Sequence, residues 1–432
     1  MSEQMIPTIA YRSTMERPSP DLFSEMESRS VSSPVIDALI VDAGLRQSLV
    51  AVRSLGRRGR SVAALETTRD VPAFMSRWCQ HPFICSAGYA TDVYLACLEQ
   101  VLERTSARVL ISSHDGTIAL LRQHRARLEQ RVRLALASEP ALTVAVSKER
   151  TLSIANRLGI RVPRSIVVSD VSEVSLALKE IGLPAVVKPT ESWICNGNGG
   201  IRVTCRLVTT ADEARRAVAE LTCSGGVTLF QQLLTGRREA VMLLYANGEM
   251  YAKFAQWAKR TIPPFGGESV LRQSIAVPAD IGSQAERLVR EIDLEGYAEV
   301  EFRRDSGGVP YLMEINPRLS ASVEIAVRSG VDFPYLIYQW ASGEPIDRVD
   351  SYRTGGWMRH LKADIMTTIA TVSQRGRPGN TPAMPAVLDF FFSFVRPAAY
   401  DYFDWNDPLP ALKAISNFTR SALKKILRGI VT

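Results

Sequence analysis

Paired cysteines are absent from this 432-residue chain: its six, Cys79, Cys85, Cys97, Cys195, Cys205 and Cys223, form no C-x-x-C motif. That scatter argues against a disulfide framework or a structural zinc site and suits a reducing compartment, the cytoplasm. Histidine is scarce, and none of His81, His114, His124 and His360 stands at metal-ligand spacing from another, so each is read as structural. No apolar run approaches the roughly 18 to 20 residues that span a bilayer. Residues 1–34 lack the apolar region and small-residue cleavage site of a signal peptide and read as a flexible tail. Neither sign of charge dominates: 52 Lys and Arg stand against 45 Asp and Glu, and a net +7 over this length does not indicate a nucleic-acid protein. An anionic ligand or surface stays open. With 46% hydrophobic and 22% charged residues, what remains is a soluble globular chain of two or three domains.

From Val35 the pattern alternates. Short β-rich runs at 35–41, 61–65 and 109–112 are separated by helical stretches at 47–55 and 93–103, with another at 117–130. This order predicts a parallel α/β layer. Its first turn carries Gly44 but no G-x-G-x-x-G, so nothing positive points to a dinucleotide. Ser147 is expected to cap a helix through Leu158. The stretch resembles half of a helix-turn-helix, but Val162-Pro163 and Ile166-Val167-Val168 turn the chain into a strand where a recognition helix would follow.

Leu183–Val187 reads as a buried strand that delivers Lys188, followed by Asn196-Gly197-Asn198-Gly199-Gly200. A lysine at a strand end beside a glycine loop suits a phosphate, because glycine lets backbone N–H groups approach the oxygens. The same Asn-Gly pair is also a common hairpin turn. Cys195 borders this loop, yet no adjacent cation or helix start marks it as a reactive thiol.

The sharper pattern is Tyr297-Ala-Glu299-Val-Glu301-Phe-Arg303, a Gly-Gly turn, then Tyr311-Leu-Met-Glu314-Ile-Asn316-Pro-Arg318. Both flanks alternate, which predicts an antiparallel hairpin. A four-residue loop at 306–309 sets Asp305 opposite Pro310, Arg303 opposite Leu312, Glu301 opposite Glu314 and Glu299 opposite Asn316. Two carboxylates facing each other at about 5 Å repel. A hard divalent cation between them, with the Asn316 oxygen as a third ligand, resolves the repulsion. The alternative is a solvated strand face with Arg303 and Arg318 as counterions.

Taken in order, SKERT at 147, VVKP at 186, the glycine loop, QQLLTGRRE at 231, VEF at 300 and MEINPR at 313 resemble the ATP-grasp superfamily of ligases. The likeness covers about 147–345, and its flavour is the single-unit carboxylate-amine ligase branch related to biotin carboxylase and carbamoyl-phosphate synthase. It implies a Rossmann-like parallel α/β pre-grasp domain (35–146) followed by a two-lobed α+β ATP-grasp domain (147–348, lobes meeting near 228), with a C-terminal extension at 349–432. It further implies ATP and Mg2+ as cofactors, with Mn2+ an alternative, and small-molecule carboxylate and amine substrates, amino acids among them.

In that resemblance Lys148 and Lys188 match the lysines on the nucleotide phosphates, and Gly199 and Gly200 belong to the loop that closes over them. Gln232 and Leu234 fall at the adenine hinge, and Glu239 matches the ribose-binding acid. Glu301, Glu314 and Asn316 match the magnesium ligands. Arg318 matches the arginine that steadies the transferred phosphate, and Arg272 is placed near it. Two departures matter: Gln232 stands where an acid is common, and Leu-Ser-Ala-Ser after Arg318 lacks the acid that biotin carboxylases use as a base. No Met-Lys-Met biotinylation site and no internal repeat occur. The alternatives are an ATP-binding scaffold without turnover and a carboxylase-type enzyme.

The last helix, 408–432, interleaves apolar residues with Lys413, Arg420, Lys424, Lys425 and Arg428. Such a helix lies on an anionic membrane at the inner face or docks on its own domain. No nucleic-acid partner is expected, and a homodimer is compatible with the sequence.

Overall fold

The computed structural model describes residues 35–431 apart from 89, 90, 196–198, 224, 265, 375 and 379, and leaves the side chains of 195 and 425–431 undescribed. The 1–34 tail therefore lies outside the described residues.

The first domain alternates as its sequence requires. Strands β1 (Ala38–Ile40), β2 (Val62–Glu66), β3 (His81–Ile84), β4 (Val109–Ile111) and β5 (Arg133–Leu134) form one parallel sheet in the order β3-β2-β1-β4-β5. Helices α1 (Arg46–Arg57), α2 (Asp92–Thr105), α3 (Asp115–Gln123), α4 (Arg125–Leu128) and α5 (Glu139–Ala145) cover it. The stretch expected as one helix from 117 to 130 is broken at His124, which separates α3 from α4. Strand order reverses direction between β1 and β4, and crevices outside the carboxyl ends of strands at such a point are where ligands bind in open α/β sheets.

Helix α6 (Lys148–Arg157) opens the next unit, with the Ser147 side chain accepting from the Arg150 N–H as a cap. Strands β6 (Ser165–Val168), β7 (Ala185–Pro189), β8 (Trp193–Cys195), β9 (Gly200–Arg202), β10 (Arg206–Val208) and β11 (Thr228–Gln232) follow. Four of them make an antiparallel sheet, β10-β7-β11-β6, covered by α7 (Val174–Ile181) and α8 (Ala211–Thr222) around a separate small core that includes Val187, Val218 and Phe230. The other two, β8 and β9, pair as a small hairpin.

The largest sheet takes β12 (Arg238–Ala246), β13 (Glu249–Ile262), β14 (Glu268–Ile275), β15 (Gly296–Arg304) and β16 (Pro310–Asn316), backed by α9 (Ala279–Glu291), α10 (Glu324–Ser329) and α11 (Phe333–Ser342). Beyond them β17 (Trp357–Arg359) adds to β14 and β18 (Ala398–Tyr400) adds to β17, completing the order β16-β15-β12-β13-β14-β17-β18. Residues after 349 thus continue this sheet, carrying α12 (Leu361–Ser373), α13 (Ala383–Phe392) and α14 (Leu409–Val431). One core runs from Leu39 and Leu110 of the first sheet to Val241 and Val300 of the largest, so these two layers pack as one body. Among the described residues no helix is long and apolar enough to cross a membrane.

The β15–β16 hairpin keeps the expected register where the chemistry lies: Glu299 faces Asn316 and Glu301 faces Glu314. Nearer the turn it differs. A bulge after Glu301 leaves Met313 unopposed and sets Phe302 against Leu312, Arg303 against Tyr311 and Arg304 against Pro310. The extra residue re-aims the strand beside the carboxylates, a common use of bulges at site edges.

Candidate functional site

An open cleft of about 820 Å³ lies where the three layers meet, lined by residues from the first domain, the β8–β9 hairpin and the largest sheet. Its floor is the carboxylate face of β15 and β16. Glu301 is buried and receives the Arg238 guanidinium, Nη2 to Oε1 at 2.6 Å. Glu314 receives Lys148, Nζ to Oε2 at 3.3 Å. Asn316 lies 3.2 Å from Glu301 through its amide. The counterions are therefore Arg238 and Lys148. Arg303 instead donates to the Gly236 carbonyl at 3.2 Å, and Arg318 turns to Asp115.

Burial pushes Glu301 up to about 7, repulsion from Glu314 and Glu299 adds to it, and Arg238 only partly opposes it. Glu314 goes the other way: burial would raise it, but Lys148, Lys188 and Arg238 together hold it below the usual carboxylate range. Two opposed carboxyl groups in one site whose proton affinities are pulled apart mark a candidate functional site. A divalent cation with oxygen ligands fits that donor set of Glu301, Glu314 and Asn316. Among the described residues no three His, Cys, Asp or Glu side chains are already gathered at metal distance. Arg238 and Lys148 hold the carboxylates in the meantime.

Lys148 is placed by its helix start, with its backbone N–H bonded to the Thr190 carbonyl and its ammonium 3.1 Å from Ser192. Lys188 projects from β7 toward the same carboxylates. Burial lowers its proton affinity and the neighbouring Lys148 adds to that, against a pull from Glu314. Two buried ammonium groups beside Glu314 form a cationic wall suited to phosphate oxygens.

At the hinge, Gln232 ends β11 with its N–H on the Arg164 carbonyl, and Leu234 is buried just beyond. The more telling residue is Gln231, which sequence reasoning passed over. Register sets Leu229 opposite Lys188 and Gln231 opposite Val186, so Gln231 shares the Lys188 face while Phe230 fills the small core. Gln231 is buried, and neither end of its amide has a partner among the described residues. Glu239 borders the cleft but is out of phase with Glu301. Its register partner is the core residue Phe302, and it is tied to Arg237 at 3.0 Å and Arg304 at 2.7 Å.

The glycine loop is described only at its end. Asn196-Gly197-Asn198 and the Cys195 side chain lie outside the described residues. A Cβ on Gly200 would fall 2.4 Å from the Trp193 ring, and Gly199 approaches Thr91. Trp193 meets His114 edge to face at 5.2 Å, and a Cβ on Gly116 would sit 2.7 Å from it, so the β8–β9 hairpin rests on the start of α3.

The first domain supplies a wall that the sequence did not reveal. Asp115 at the start of α3 pairs with Arg318, Nη2 to Oδ2 at 3.1 Å, and stays ionised with its pKa held at about 2: burial would raise it, and Arg318 outweighs burial. Gln47 of α1 and Ser113 and His114 after β4 border the same crevice, at the β1/β4 reversal. Arg202 of the hairpin stands between Asp115, at 4.0 Å, and Glu268, at 3.6 Å. No sequence signal marks these residues, since they come from three separate segments, around 47, 113–115 and 202.

Arg272 requires a correction. It is fully buried and forms a two-pronged ion pair with Asp401 of the C-terminal region, which also holds Arg46 at 2.9 Å. Its charge is consumed there and it does not line the cleft. The β14 residues that do are Glu268, bonded to Arg46 at 3.0 Å, and Ser269.

Residues 240–362 match the family described as ATP-grasp in the biosynthetic pathway with Ter operon. The fold is that of ATP-grasp proteins. A Campylobacter jejuni biotin carboxylase bound to an ATP analogue superposes with a TM-score of 0.60 at 15% identity over 74% of each chain. N5-carboxyaminoimidazole synthetase from Staphylococcus aureus gives 0.59 at 16% identity over 79% of this chain and 87% of its own. The biotin carboxylase domain of Hydrogenobacter thermophilus 2-oxoglutarate carboxylase, holding MgADP and bicarbonate, gives 0.59 at 15% over 75% and 73%.

More particularly, the chain is homologous to the carbamoyl phosphate synthase large chain. It is 24% identical to that of Methanoculleus marisnigri over 309 residues, 66% of this chain and 26% of the relative. D-alanine--D-alanine ligase of Nitrosospira multiformis is 25% identical over 179 residues, 41% of this chain and 58% of that one. The chain spans about a quarter of the length of the carbamoyl phosphate synthase large chains it matches.

Proposed function

We propose that this protein is an ATP-dependent ligase that joins a small carboxylate to an amine through an acyl phosphate. The observation that carries the reading is the Glu301–Glu314 pair set against Lys148 and Lys188 at the cleft floor. Phosphoryl transfer needs positioning and charge neutralisation more than a strong base, and these groups provide both.

In this reading the adenine lies against Gln231, Gln232 and Leu234, and the phosphates run along Lys188 and Lys148. Glu301, Glu314 and Asn316 would hold Mg2+, which when bound would supply charge neutralisation. A carboxylate oxygen bonds to the γ-phosphorus as the bond to the ADP oxygen breaks. Arg318, steadied by Asp115, faces the transferred phosphoryl group. The amine nitrogen then attacks the acyl carbon, phosphate leaves, and the amine proton passes to solvent or phosphate. Trp193 docked on Gly116 keeps the hairpin over the cleft and water out.

The acceptor enters from the β1/β4 crevice, beside Asp115, Glu268 and Arg202, a mixture of charges that suits a molecule bearing both an ammonium and a carboxylate, such as an amino acid. The reaction takes place in the cytoplasm, consistent with five described cysteines that are all unbridged. Incubating the protein with MgATP and amino acids, singly and in pairs, and measuring ADP tests the reading. ADP release that requires a carboxylate and an amine together supports it, and ATP binding without turnover in any mixture favours a scaffold.

A further inference from the structure

The residues after Leu361 leave an unpartnered surface whose charge is sorted by side. This segment has five acidic residues, Asp364, Asp389, Asp401, Asp404 and Asp407. Each is turned inward onto a base: Asp364 to Arg260 and Arg359, Asp389 to Lys259 and Arg260, Asp401 to Arg46 and Arg272, Asp404 to Arg57, and Asp407 to Arg53. No acid follows Asp407, while residues 409–431 contain five Lys and Arg.

What faces outward is apolar. In α13 and its last turn, Met384, Leu388, Phe391, Phe392 and Val395 recur at helical spacing, and all are exposed, Phe391 by 63% and Phe392 by 65%. None of the α13 residues is buried. Helix α12 packs on α13 and exposes Met366 and Ile369 on the face that carries Lys362, whose ammonium lies over the Phe418 ring of α14. The exposed strip therefore continues from α13 across α12 to α14, where Leu412, Ile415 and Leu423 are exposed. The opposite side of α14 docks on the first domain, with Lys413, Asn417 and Arg420 gathered on Asp70. Trp405, 85% exposed, lies at the start of this last segment.

We propose that this face is a membrane-docking surface that seats on anionic lipid headgroups, with the aromatic strip of α13 at the acyl boundary and Lys424 of α14, exposed, at the phosphates. An apolar strip rich in phenylalanine, flanked by bases and stripped of outward acids, is the composition of an interfacial helix pair. A second copy fits less well, because a two-fold contact would bring the acid-free basic helices of both copies together.

The test sediments the full-length protein with phosphatidylcholine vesicles and with vesicles of equal parts phosphatidylcholine and phosphatidylglycerol, at low and high salt. The expected result is sedimentation with the anionic vesicles, little with the neutral ones, and partial release by salt. Lys424→Glu should weaken binding by about 25-fold, at about fivefold for each of the two units of charge it removes at an anionic surface. Phe391→Ser with Phe392→Ser should abolish sedimentation with little change in melting temperature, since both side chains are mostly exposed. Wild-type protein that stays in the supernatant with anionic vesicles overturns the proposal without reference to any variant. So does binding that neither variant changes. A wild-type dimer that the paired Phe substitutions split, with no vesicle binding, assigns the face to a second copy.

Discussion

Lys148 and Glu314 meet across the cleft floor, ammonium to carboxylate at 3.3 Å, and so tie helix α6 to β16, an edge strand of the largest sheet. The same pair holds Glu314 ionised while its neighbour Glu301 rises to about 7. The floor therefore carries two opposed carboxylates whose proton affinities are pulled apart, Glu314 lowered by the lysines and Glu301 raised by burial.

Glu314→Gln removes the charged member of that pair. ADP formation should fall by about 100-fold or more, the scale expected when a group that holds the charge-neutralising cation and lysine in place is lost. Circular dichroism should show the fold intact. Undiminished turnover contradicts the assignment of Glu314 to the phosphate site.

Gln231 offers a way to separate binding from stability. Its buried amide has no partner among the described residues, so Gln231→Leu relieves an unsatisfied group and should leave the melting temperature unchanged or higher. If the amide reaches the adenine, KM for ATP rises by about tenfold, the worth of one good hydrogen bond. A fall in stability with unchanged KM identifies a structural role instead.

Gly116→Ala places a methyl against Trp193. Helix propensity improves by about 0.8–1 kcal/mol, so the first domain should hold. The hairpin should be displaced from α3, and KM for ATP should rise several-fold while ATP hydrolysis without acceptor increases. Identical kinetics show that the Trp193 contact does not govern the cleft.

His360 gives a pH signature. Burial, aided by Arg46 and Arg272, lowers its pKa from 6.5 to about 4, against the pull of Asp401 and Glu268. The unfolded chain then binds a proton that the folded one refuses, so its neutral burial costs nothing above about pH 6.5. Stability is lost as pH falls toward about 4, by at most about 1.4 kcal/mol per unit. Thermal melts between pH 7 and 4 should show this slope, and His360→Gln should reduce it. A slope that the substitution leaves unchanged assigns the acid sensitivity to the carboxylates.

The carboxylate hairpin was legible because its information is local: alternation places Glu299, Glu301, Glu314 and Asn316 on one face whatever surrounds it. The Met313 bulge was not, since a strand with one extra residue alternates almost as well as one without. Likewise Ser147 could be read as a cap from its own sequence, whereas the partners of Arg272 and Arg318 could not. Asp401 and Asp115 stand 129 and 203 residues away from them, and only the packing of the layers brings them together. Arg272 is the instructive case. A basic residue on the correct strand looked like a phosphate ligand until a distant carboxylate claimed it.

The central claim is transfer of a phosphoryl group to a carboxylate before the amine attacks. It is tested most directly by turning over MgATP with an amine and a mixture of amino acids and dicarboxylic acids labelled with 18O in their carboxyl groups. An acyl phosphate intermediate carries a carboxylate oxygen into the released inorganic phosphate, so label must appear there in step with ADP. Phosphate that acquires oxygen only from water, at a rate indifferent to the acids and amines supplied, contradicts the account.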